Sequence, residues 1–139
     1  MKKAPFFLLL ALPFLLQSCG GHNHGGGDIP PLVLDNGQPW QANPETSSGI
    51  AEMQTILAKY EGKTADDTSR ESLQEELEAA FQGIFKACTM TGEGHNQLHN
   101  YLLPMKPLFE KIGEGPATES EAAISQLKQH LSTYQTYFQ

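Results

Sequence analysis

Cysteine is scarce in this chain, with only Cys19 and Cys88 present. No Cys-x-x-Cys-His motif is present, so any haem would be held without covalent attachment, with His95 or His99 as its axial ligand. Positive charge is short as well: nine Lys and Arg face 16 Asp and Glu, for a formal net charge of −7. So acidic a chain is a poor binder of nucleic acid and of anionic lipid surfaces. A long apolar run is also missing. The stretch from Phe6 to Leu16 falls short of the roughly 20 residues a spanning helix needs, and Pro13 interrupts it. Neither a nucleophile–base pair nor a hydrolase motif is visible, and no enzyme is expected.

What the N-terminus does contain is Met1-Lys2-Lys3, the short apolar run, and then Gln17-Ser18-Cys19. A basic start, an apolar middle and a small residue before the cut describe a secretory signal over residues 1–18. Leu16-Gln17-Ser18-Cys19 resembles the lipobox of bacterial lipoproteins, which implies cleavage after Ser18 and acylation of Cys19, with palmitate among the acyl groups. The alternative is an ordinary signal cut elsewhere, leaving Cys19 as a free thiol. Residues 19–31 are rich in glycine and are expected to form a flexible tether that carries His22 and His24. The tether lacks an Asp directly after Cys19 and lacks an acidic cluster, so a periplasm-facing site on the outer membrane is expected. Loss of Lys2 and Lys3 makes the net charge two units more negative, which leaves the acyl chains as the anchor. With Cys19 lipidated, Cys88 is a lone thiol in an oxidising compartment and no internal disulfide can form.

Residues 32–139 are expected to form one all-α domain, an up-down-up-down four-helix bundle behind a short β-turn or hairpin. Asn36-Gly37 between short apolar stretches predicts the tight turn, and Trp40 is expected to lie over one end of the core. Asn43-Pro44 predicts an N-cap and first residue for a helix that runs to about Tyr60. Thr68 with Glu71 reads as a capping box for a second helix, whose core face is Leu73, Leu77, Phe81, Ile84, Phe85 and Cys88. A third helix starts near Gly94 and carries His95, Leu98, His99, Leu102, Met105, Phe109 and Ile112 on one stripe, bent by Pro104 and Pro107. Thr118 and Glu121 read as a second capping box, opening a fourth helix that reaches Phe138.

The stretch from Cys88 to His99 carries the chemistry. His95 and His99 stand at i and i+4, their Cβ atoms roughly 6 Å apart, and the short turn returns Cys88 and Met90 to the start of the third helix. A thiolate, a thioether and two imidazoles form a soft to borderline ligand set that favours copper, above all Cu(I), with zinc next. The pair in the tether, His22 and His24, is an auxiliary site that could capture the ion weakly. Each of these residues also has a plainer use. Cys88 is a small hydrophobe at the end of an apolar stripe, His95 can bond to backbone, His99 can be a satisfied core histidine, and Met90 can plug the turn.

Cys-Thr-Met-x-Gly-x-x-His-x-x-Leu-His-x-x-Leu-x-Pro, residues 88–104, resembles a segment of small helical lipoproteins and secreted proteins of Bacteroidota. The Asn-Gly turn followed by Trp and Asn-Pro, from Leu34 to Pro44, is similar to the start of the same domain. The resemblance implies a shared fold and a shared site and carries no activity. Two functions therefore remain open: an anchored lipoprotein that binds copper or zinc for buffering or transfer, and a non-enzymatic interaction module that docks another envelope protein.

Overall fold

The computed structural model describes residues 29–64 and 66–139. The signal, Cys19, His22 and His24 lie outside the described residues. Within them the protein is all-α, with helices α1 (Pro44–Lys59), α2 (Asp67–Ala87), α3 (Gly92–Leu102), α4 (Lys106–Glu114), α5 (Ala117–Ser132) and α6 (Tyr134–Tyr137), and a 3₁₀ turn at Leu103–Met105. No described helix is long and apolar enough to cross a membrane.

α1 packs on α2, α2 on α4, α4 on α5, and α5 returns to α1, so four helices surround one core in a bundle. The apolar stripes read from the sequence meet there: Met53, Leu77, Met105, Ile112 and Leu127 are all fully buried. α2 runs antiparallel to the α3–α4 arm. Phe81 stacks edge-on against Phe109 at 5.2 Å, and one turn later on α2 Phe85 meets His99, ten residues earlier on the opposing arm, also at 5.2 Å. α1 and α2 approach closely at Gly49, where a Cβ would collide with the Ile84 side chain. Phe85, expected on the core face, is an edge residue with 37% of its surface exposed.

The third helix bends where proline requires it. Pro104 has no N–H to donate, the ladder tightens to a 3₁₀ turn over Leu103–Met105, and α4 restarts with Pro107 in its first turn. Burial continues across the bend through Leu102, Met105 and Phe109.

Helix starts differ from the expected caps. α2 is capped by Asp66, whose carboxylate accepts from the Ser69 backbone N–H and hydroxyl at 2.9 Å each; a carboxylate satisfies that orphan donor better than the Thr68 hydroxyl and also meets the positive end of the helix. α5 begins at Ala117 after Pro116 with no side-chain cap, so Thr118 and Glu121 sit inside the helix rather than forming a box. α3 begins at Gly92, two residues before the expected start. Asn43 precedes α1 without capping its backbone. Its amide instead donates to the Ala87 carbonyl at 3.1 Å, and its Oδ1 accepts from the Thr46 hydroxyl at 2.8 Å and the Thr89 N–H at 3.4 Å. Asn43 thus ties the start of α1 to the end of α2.

The arm before α1 pairs with the residues that follow α6. Asn36 (φ 49°) and Gly37 (φ 85°) make the expected tight turn, closed by two 2.9 Å backbone bonds between Asp35 and Gln38. The hairpin stops at that one bridge. Beyond Pro39 the arm pairs with the C-terminus: Trp40 N–H donates to the Tyr137 carbonyl at 2.7 Å, and Gln139 N–H to the Trp40 carbonyl at 2.9 Å. The fourth helix therefore breaks at Thr133, and Phe138 is buried from extended backbone (φ −138°, ψ 146°) rather than from a helical stripe.

Candidate functional site

Cys88 ends α2 in extended backbone (φ −66°, ψ 123°), with its N–H still bonded to the Ile84 carbonyl at 2.9 Å. Asn43 grips the residue on either side of it. Four residues after Cys88, Gly92 turns the chain with φ 65°, a conformation that costs little only for glycine, and α3 starts back alongside α2. This geometry carries His95 to Cys88.

Cys88 Sγ lies 3.6 Å from His95 Nδ1. The His95 and His99 rings are 4.5 Å apart, and His99 leans edge-on against Phe85 at 5.2 Å. The half-buried thiol and two imidazoles and the exposed phenyl of Phe85 therefore form a row at the α2–α3 junction. Burial, and then the neighbouring His95, hold the His99 imidazole below its usual range, so its neutral form with a free lone pair is favoured. Two ligands of a tetrahedral ion at Zn–S and Zn–N bond lengths stand about 3.5 Å apart, so the Cys88–His95 spacing suits a shared ion as well as a thiol–imidazole hydrogen bond.

The set is not closed. Among the described residues no three His, Cys, Asp or Glu side chains stand in a metal-holding group. Met90 is half-buried, and its Cε packs by Gly94, where a Cβ would stand 3.4 Å from it and 3.1 Å from Trp40 Cε3. Trp40 lies over the start of α3 as a lid, its indole N–H donating to the Val33 carbonyl at 2.7 Å.

Two groups escaped the sequence reading. Gln97 is buried, accepts from Val33 N–H at 2.9 Å and donates to Glu93 at 2.8 Å, and so fastens the N-terminal arm to α3. A groove of about 560 Å³ opens between α2 and α4 beside His99, over Phe81, Phe85, Leu103 and Phe109. Its only sequence signal was Phe85 next to Ile84, a stripe wider than one neighbouring helix covers. His130 stays apart, stacked on Tyr101 at 4.5 Å with its Nε2 2.7 Å from the Tyr101 carbonyl.

Comparison with family models, with curated proteins and with solved structures finds no significant match to this chain.

Proposed function

We propose that this chain is a non-enzymatic lipoprotein, acylated at Cys19 and facing the periplasm from the outer membrane, that holds one soft metal ion at the α2–α3 junction for buffering or transfer. The observation that carries the reading is the 3.6 Å separation of Cys88 Sγ and His95 Nδ1, next to His99, whose pKa burial lowers. A pair of soft ligands with a third within a side-chain rotation suits Cu(I), since thiolate and thioether select it. Structural zinc wants four ligands in place. His99 joins by turning off Phe85, and Met90 by turning from Gly94 and Trp40. His22 and His24 deliver the ion from the tether. The short connections between packed helices support an up-down-up-down topology.

The test is anaerobic Cu(I) competition, with Zn(II) titrated separately, on protein carrying His22→Ala and His24→Ala. Cys88→Ser and His95→Ala should each weaken Cu(I) binding by more than about tenfold, as expected for loss of a direct ligand, and Met90→Leu should hurt Cu(I) more than Zn(II). Equal affinity in wild type and variants would remove the metal. The anchor is tested by Cys19→Ala, which should abolish fatty-acid labelling and release the protein from membranes.

A second reading, an interaction module docking another envelope protein, is favoured by the exposed Phe85 and Leu103. It predicts that Leu103→Asp disrupts a complex without touching metal affinity.

A further inference from the structure

The groove between α2 and α4 is apolar along its floor and charged in an ordered way along its rim. Phe81 and Phe109 are buried beneath it, while Phe85 and Leu103 leave 37% and 40% of their surfaces exposed on it. Its volume of about 560 Å³ lies within the roughly 300–1,000 Å³ usual for small-ligand sites. Because α2 is antiparallel to the α3–α4 arm, the rim charges sort by sign. Lys86 lies at the His99 end and Lys106 at the start of α4, whereas towards the other end Glu78 lies about two turns from Lys86 and Glu110 about one turn from Lys106. Among the described residues none of these four joins an ion pair, and Glu78 is held from behind by the Gln74 amide at 2.9 Å.

We propose that this groove binds a short apolar peptide with both termini free, its carboxylate between Lys86 and Lys106 and its ammonium between Glu78 and Glu110. Residues 78 and 86 are ~12 Å apart along the axis of α2 and residues 106 and 110 ~6 Å along that of α4, a distance that an extended chain of about two to four residues spans. The aromatic floor takes its apolar side chains, and each end gains charge-assisted hydrogen bonds. An amphipathic anion would use the lysines and leave both carboxylates idle, so the arrangement of charge favours the zwitterion. The inference does not rest on the metal reading, and the experiment is run on metal-free protein.

The probe is a tetrapeptide of alternating alanine and leucine, titrated calorimetrically into the full chain beside its N-acetylated and C-amidated forms. The free peptide should bind in the micromolar range, and blocking either end should weaken it about tenfold. Lys86→Gln with Lys106→Gln should erase the effect of amidation and keep that of acetylation; Glu78→Gln with Glu110→Gln should do the reverse. Lys86, Lys106 and Glu110 are exposed and Glu78 is half-buried, and circular dichroism checks the fold. Equal binding of free and blocked peptides, or no binding below millimolar concentration, would overturn the proposal. So would decanoate binding more tightly than the peptide with only the lysine variants mattering, because that marks an amphipathic anion as the occupant.

Discussion

Glu76 shows how much a single exposed side chain can do at the α1–α2 seam. It accepts from Lys59 at 2.6 Å and from the Tyr60 hydroxyl at 2.9 Å, and these bonds hold its carboxyl below the usual value of 4.5. Asp66, Glu45 and Glu93 are lowered in the same direction by their own hydrogen bonds. A carboxyl whose folded value lies below its unfolded one contributes stability above the unfolded value and loses it as pH falls through the folded one. The urea midpoint of the metal-free protein should therefore drop as pH falls below about 4.5, and Glu76→Gln should make that drop shallower. A profile identical to wild type would mean the Lys59–Glu76–Tyr60 contacts contribute nothing in solution, the common fate of exposed pairs.

Among the elements, α2 depends on its cap and on the closeness of α1. Asp66→Ala should lower the urea midpoint while Thr68→Ala leaves it nearly unchanged, since Asp66 makes the bond to Ser69 N–H. The two glycines of the α1–α2 pair should respond in opposite directions. Gly49 has Ile84 where its Cβ would go, so Gly49→Ala should cost about 1–3 kcal/mol through overpacking. Gly83 has nothing within 4 Å of its Cβ position, so Gly83→Ala should stabilise by about 0.5–1 kcal/mol by restricting the unfolded chain. Equilibrium unfolding in urea separates all four.

For the described domain as a whole, a contact between residues 40 and 137–139 joins the N-terminal arm to the last turn of the bundle. Phe138 is fully buried, stacks on Tyr134 at 5.2 Å and meets Tyr101 at 5.6 Å, while its backbone neighbours bond Trp40. Phe138→Ala should cost about 3–5 kcal/mol and, because Trp40 is the only tryptophan, should shift the folded-state emission to longer wavelength as the lid loosens. Unchanged emission and stability would mean that the arm stands without the C-terminus.

The amphipathic stripes, the Asn36-Gly37 turn and the bend at Pro104 were legible in the sequence because each rests on local stereochemistry: the helical period, a positive φ, a missing N–H. Their meeting in one core followed from the same stripes, and so did the nearness of His95 to His99, which is set by helical spacing alone. The approach of Cys88 to His95 depended on the Gly92 turn and on Asn43, a residue some 45 positions earlier in the chain that fastens both neighbours of Cys88. Whether Thr68 or Asp66 caps α2 was a competition between adjacent side chains, settled by where the chain enters the helix. The break before Phe138 and the charge-sorted groove were decided by tertiary structure only. A strand-like pairing between residues 40 and 138 and a rim built from two antiparallel helices both join residues distant in sequence, and no local period records which of them will face each other.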